Sequence, residues 1–142
     1  VAIPVVDANL LGLAFPFNIS DPNSPIFLET LRKIEEDLLV PGGGLKRYPD
    51  DSYYGGGEWI LLTAWLGLIY NALGEREKAL RIKSWIEKQA DKNGLFPEQV
   101  LKNVENKKGS QDWIKKWGQP AVPLLWSHAN YLILCNDLDQ PR

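Results

Sequence analysis

The pattern that most constrains this chain is an alternation between two kinds of helical segment. From Trp59 to Leu73 apolar residues fall on every side, and only Thr63 and Asn71 interrupt them. A helix of that kind is covered on most faces. Gly74 follows as a C-terminal stop. From Glu75 to Ala90 the pattern is one-sided, with Ala79, Ile82, Trp85, Ile86 and Ala90 on one stripe. An amphipathic segment also precedes the buried one. Ser24-Pro25 reads as a hydroxyl N-cap with proline at the first position. Phe27, Leu28, Leu31, Ile34 and Leu38 then recur at helical spacing, opposite Glu29, Arg32, Lys33, Glu35 and Glu36. Pro41-Gly42-Gly43-Gly44 ends that helix. A last helix, from about Ala121 to Asn136, is apolar on most faces, with Pro123 tolerable only in its first turn. Asp7 caps a short apolar helix from Ala8 to Ala14. Inner helices alternating with outer ones predict an all-α protein of two concentric layers, with Trp59–Leu73 and Ala121–Asn136 its most buried elements.

The connections are as informative as the helices. Gly42 to Glu58 leads into one inner helix, and Asn93 to Gln119 leads into the other. Loops this long and aromatic, entering buried helices from one end, carry function more often than they merely connect. No strand pattern of comparable strength is present, although the long loops have room for short strands.

Composition excludes several classes. A net charge of -2 gives no electrostatic case for nucleic acid or an anionic membrane surface. The longest apolar stretch, Trp59 to Tyr70, is too short to span a bilayer. One cysteine, Cys135, rules out an intrachain disulfide and reads as a buried, inert thiol. With only one histidine, His128, the chain lacks the ligands of a zinc site, and no cofactor is expected. Val1 to Val6 lacks the basic start of a signal peptide and contains Pro4, which favours a cytoplasmic protein. An apolar start at Val1 fits a piece of something longer.

Three segments concentrate chemistry. Arg47-Tyr48-Pro49-Asp50-Asp51-Ser52-Tyr53-Tyr54-Gly55-Gly56-Gly57-Glu58-Trp59 combines a bidentate donor, carboxylates, tyrosines and a glycine run. Arg and Asp bind sugar hydroxyls through paired hydrogen bonds, and aromatic faces pack on sugar rings. The bland alternative is a structured loop in which Arg47 bridges Asp50 or Asp51 and the tyrosines fill the core. Gly94-Leu95-Phe96-Pro97-Glu98-Gln99-Val100 places one carboxylate among apolar residues beside an amide. Partial burial suits a carboxyl to acid or base work; the alternative is an ordinary helix-initiating Pro-Glu pair. Pro123 to Ala129 puts Trp126, Ser127 and His128 on one turn, where a satisfied core histidine is the simplest account.

In this order and at this spacing, the three segments resemble the glucoamylase family of inverting glycoside hydrolases (family 15, with the glucodextranases). Val6-Asp7-Ala8-Asn9 also looks like the family's segment ahead of this region, so the resemblance covers nearly the whole chain. It implies a barrel of six inner and six outer helices, of which residues 1–142 supply roughly the last four to five as the C-terminal part of the catalytic domain. It further implies that Glu98 is the catalytic base with Gln99 as its neighbour. By the same resemblance Arg47 is expected to contact the non-reducing glucose, and Tyr48, Asp51, Tyr53, Trp59 and Trp126 to help form the sugar pocket. The implied substrate is an α-linked glucose oligosaccharide or polysaccharide. The family's general acid lies in an earlier part of the domain, and nothing here corresponds to it. The missing part of the barrel, or self-association, is therefore an expected partner, and the chain alone is expected to be inactive. Two departures stand out: Glu58 replaces a neutral residue of fungal relatives, and Lys102 to Gln119 is longer and more charged. A non-catalytic helical module is the alternative, since the same barrel occurs in phosphorylase kinase regulatory subunits.

Overall fold

A computed structural model describes residues 5–140; Val1–Pro4, which open the segment read as lacking a leader, and Pro141–Arg142 lie outside the described residues. The chain begins with a 3-10 helix, Ala8–Leu13, capped by Asp7, whose carboxylate accepts the Asn9 N–H at 2.8 Å. Helix α1, Pro25–Leu38, starts as its sequence predicts, with the Ser24 hydroxyl accepting from the Phe27 N–H at 3.3 Å. Phe27, Leu31, Ile34 and Leu38 are buried, whereas Leu28 of the same predicted stripe stays partly in solvent. The outer face carries exposed pairs of Arg32 with Glu29 and Glu36, and of Lys33 with Asp37. Such solvent-exposed pairs add little to stability.

Helix α2, Ile60–Ala72, is the hub. Ten of its 13 residues are buried, against three of 12 in α3, Arg76–Glu87. It packs on α3, on the N-terminal 3-10 helix and on α5, Leu125–Asp139. Gly67 permits this crossing. A Cβ there would lie 2.9 Å from Ile82 Cγ2 and 3.0 Å from Leu134 Cδ2, so α3 and α5 both press on α2 at that point. Gly74 ends α2's last turn with φ +78°.

Three expectations are corrected. The last helix begins at Leu125, not Ala121. Proline disfavours helical backbone at the residue before it, here Val122. Ala121 to Leu124 instead runs alongside Phe96–Glu98, with Glu98 N–H donating to Ala121 O at 2.9 Å and Leu124 N–H to Phe96 O at 3.1 Å. Nor is this helix among the most buried. Only Ser127, Asn130, Leu134 and Leu138 are covered, while Leu125 is 80%, Trp126 67% and Leu132 63% exposed. One side of α5 packs on α2 and α3, and no element among the described residues covers the other. Cys135 is correspondingly half-buried rather than buried.

The stretch Asn93–Gln119 is not a simple loop. It holds β2, Gln99–Val100, which pairs antiparallel with β1, Glu58–Trp59, in the register Glu58–Val100 and Trp59–Gln99. It also holds α4, Lys107–Trp117, capped by Asn106, whose side-chain oxygen accepts the Gly109 N–H at 2.8 Å. Helix α4 packs on a 3-10 turn, Tyr53–Gly55. Thus both long loops fold against each other at one place. Among the described residues, no helix is long and apolar enough to cross a membrane.

Candidate active site

The Arg47 loop is anchored at both ends. Arg47 O accepts the Ala8 N–H at 2.7 Å, Leu45 N–H donates to Thr63 Oγ1 at 3.0 Å, and Trp59 N–H donates to Leu45 O at 2.8 Å. On this frame the Arg47 guanidinium grips Asp51 with two parallel bonds, Nε to Oδ2 at 2.9 Å and Nη2 to Oδ1 at 2.7 Å. Asp51 is almost wholly buried, and its Oδ1 also accepts the Tyr53 N–H at 3.0 Å. Burial works against the Arg47 charge, but the hydrogen bond to Asp51 and its opposite charge outweigh it and hold the guanidinium pKa above its ordinary value. The guanidinium carbon sits 4.7 Å from the Tyr48 ring centre and 4.9 Å from that of Trp59.

Tyr53 joins this loop to the second. Its ring stacks on Trp59 at 5.7 Å and 24°, and its hydroxyl donates to Glu98 Oε2 at 2.9 Å. Burial first, and then the bond to Glu98, push the phenol up to about 12. The next residue, Tyr54, takes left-handed backbone with φ 49°. A bulky residue held there costs on the order of 1 kcal/mol or more, and surrounding contacts must offset it. They do so here: Gly55 O accepts both the Glu105 and the Asn106 N–H groups, at 2.9 and 3.1 Å.

Glu98 is half-buried immediately before β2, and no helix starts there, which removes the helix-initiating alternative. Gln99 is buried. Its Oε1 accepts the Gly57 N–H at 3.3 Å, while its Nε2 has no partner among the described residues. Gly57 allows this close approach, since a Cβ would meet Val100 O at 2.6 Å. Trp59 Nε1 is a second buried donor without a partner among the described residues. Both donors are shut off from solvent, and buried N–H groups left unpaired are costly.

The rival carboxylates are accounted for. Asp51 is neutralised by Arg47. Asp50 is exposed, and its N–H donates to Glu105 at 2.9 Å. Glu58 is buried; its Oε1 accepts from Asn103 Nδ2 at 2.6 Å, while its Oε2 has no partner among the described residues, and strand alternation directs it to the face opposite Trp59. His128 is the satisfied histidine expected from its pattern: Nε2 accepts the Phe96 N–H at 3.0 Å.

Arg47, Tyr48, Asp51, Tyr53, Trp59, Glu98 and Gln99 thus converge. Trp126 does not stack with them. It lies exposed on the first turn of α5, which Ser127 hooks to Pro97 O at 2.8 Å, one residue from Glu98. Sequence analysis missed Trp113 of α4, whose ring packs 5.1 Å from Tyr53 and 5.4 Å from Tyr54. The spacing Ser110, Trp113, Trp117 behind the Asn106 cap was the signal for it. It also missed Glu105, which ties the loops together by accepting from Lys46 Nζ at 3.0 Å and from the Asp50 N–H. A cavity of about 490 Å³ lies between α1 and α3 against Glu35, Tyr70 and Lys78, and shares no residue with this cluster.

Comparison with known proteins follows the same lines. No family model matches the chain. An isomaltose glucohydrolase of Kribbella flavida is 41% identical over 133 residues, covering 94% of this chain and 34% of its own length. A glycosidase variant solved in complex with glucose superposes with a TM-score of 0.92 at 39% identity, over 97% of this chain and 37% of that one. A bacterial glucoamylase solved with acarbose gives 0.74 at 27% identity, over 95% and 20%. The chain therefore resembles the glucoamylase-type glycoside hydrolases and shows their fold over most of its length. It spans about a third of the length of the first of these relatives.

Proposed function

We propose that these residues form the C-terminal part of an (α/α)6 barrel that releases glucose from α-glucosides with inversion, and that Glu98 is its general base. The observation that carries this is the placement of Glu98 beside the Arg47–Tyr53–Trp59 cluster, held by the Tyr53 hydroxyl. An inverting glycosidase needs two carboxyl groups about 6.5–9.5 Å apart, so that a water fits between the base and the anomeric carbon. Glu98 would take a proton from that water. Arg47, fixed by Asp51, would offer its remaining Nη1 to sugar hydroxyls, and Tyr48, Tyr53, Trp59 and Trp126 would wall the ring, with Gln99 setting the base's strand. The acid that protonates the leaving oxygen would come from the remainder of the barrel, which would also cover the bare side of α5. The K. flavida relative makes isomaltose the first substrate to try, followed by maltose, dextran and starch.

The test joins residues 1–142 to the rest of such a barrel and follows the anomer of the glucose first released by NMR. Expected is β-glucose from an α-glucoside, with no hydrolysis by the 142-residue chain alone. Release of α-glucose, or activity in the isolated chain, would overturn the assignment.

A further inference from the structure

The chain has six tryptophans, and only two of them, Trp117 and Trp126, are mostly exposed. Both lie at the ends of the segment that runs along the Glu98 strand. Trp126 was already expected to face sugar. Trp117, at 63% exposure, lies outside the cluster around Arg47 and Glu98.

We propose that Trp117 is a stacking platform for the third glucosyl unit of the substrate, outside the pocket that holds the bond being cut. This rests on the reading of Glu98 as the base of an α-glucosidase. Three observations support it. First, Trp117 continues an aromatic row. It lies four residues after Trp113, on the same face of α4, and Trp113 packs 5.1 Å from Tyr53, whose hydroxyl reaches Glu98. Second, it lies within reach of the base. The chain turns at Gly118, the Tyr54 hydroxyl lies 3.5 Å from Gln119 O, and Ala121 O accepts the Glu98 N–H at 2.9 Å. Four residues of extended chain from Trp117 to Ala121 span at most about 14 Å, a separation that a short oligosaccharide covers. Third, the ring is presented rather than packed. Lys116 Nζ stands 4.9 Å over one face, which steadies the indole, and the remaining surface is open.

The chemistry fits a neutral carbohydrate. Sugar C–H faces are apolar and pack on an indole, while their hydroxyls stay in water, so a half-wet ring at a rim suits them better than a buried one. Neither Lys115 nor Lys116 closes an ion pair, so the helix end does not commit its surface to a protein carboxylate among the described residues. A platform at this distance acts on long substrates and leaves short ones alone.

The experiment uses the protein that carries these residues with its whole barrel. Initial rates are measured on glucose di-, tri- and hexasaccharides of the preferred linkage for the wild type, Trp117→Ala and Trp117→Phe. Trp117→Ala should lower kcat/KM on the tri- and hexasaccharide by about 3- to 10-fold, the range of one aromatic contact. The disaccharide should change by less than roughly twofold, and Trp117→Phe should recover most of the loss. Equal losses at every length would make Trp117 a structural residue, and no loss at any length would mean it is idle or covered by the rest of the barrel. Either outcome overturns the platform while leaving Glu98 intact. A wild type inactive on all three substrates would remove the underlying function and the platform with it.

Discussion

The Tyr53 hydroxyl donates to Glu98 Oε2 at 2.9 Å across 45 residues of sequence. Because burial and this bond push the phenol up to about 12, Tyr53 keeps its proton wherever a glycosidase works. The folded state holds that proton more tightly than the unfolded chain, whose tyrosines ionise near pH 10. The stability Tyr53 contributes is thus fully present below about pH 10 and is lost as pH rises toward 12. Tyr53→Phe should therefore cost stability at pH 8 and progressively less between pH 10 and 12. Urea midpoints of both proteins at pH 8 and 11.5 measure this, and a constant gap would show that the bond does not hold in solution.

Arg47 and Asp51 should behave as one unit. Arg47→Lys keeps the charge but loses the planar fork, so it cannot make both bonds to Asp51. Asp51→Asn leaves the guanidinium without its counter-charge in a partly buried place. In the active barrel each change should raise KM by about tenfold or more while lowering kcat less. The double variant should be little worse than either single one, because contacting residues are not additive. Full additivity in a double-mutant cycle would separate the two residues.

Much of this arrangement was legible in the sequence. Helix α2 announced itself because it is covered on every side, and α1 because Ser24-Pro25 and its stripe agree. The Arg47 and Glu98 segments stood out because polar groups there interrupt aromatic and apolar runs. Three features were hidden for physical reasons. Helix α4 has few apolar residues and buries only Ser110, so periodicity barely marks it; its position comes from Trp113 docking on two tyrosines far away in sequence. The ribbon of β1 and β2 is two residues long on each side, too short for alternation to show. The start of α5 was misplaced because apolar composition continues through Ala121–Leu124, whereas the backbone there bonds to Phe96 and Glu98. Its burial was overestimated for a related reason: apolar residues on all faces imply neighbours on all faces, and the described residues supply them on only one.

That bare face has a measurable consequence. Leu125 and Leu132, and beside them Trp126 and Ile133, form two rows at seven-residue spacing, exposed by 42–80%. Contiguous apolar strips of this kind are rarely left in water. The 142-residue chain should self-associate, and sedimentation velocity should show dimers or larger species at micromolar concentration. Leu132→Lys with Ile133→Lys should shift it toward monomer without unfolding it, because neither side chain is buried. Adding the remainder of the barrel should compete with self-association. A wild-type monomer that binds no hydrophobic dye would refute the expectation.

The sharpest prediction concerns Glu98. If it is the base, Glu98→Gln keeps the size and the contact with Tyr53 but can no longer accept a proton from water. General-base removal typically costs about 10²–10⁴-fold in rate. In the complete barrel kcat should fall by that factor with KM little changed, since the loss is of an interaction made in the transition state. The neighbouring carboxylates are engaged elsewhere: Asp51 is held by Arg47, and Glu58 Oε1 accepts from Asn103. Glu58→Gln should accordingly keep most of the activity. Unaltered kcat in Glu98→Gln, or a loss in Glu58→Gln as large as that in Glu98→Gln, would move the base to another residue.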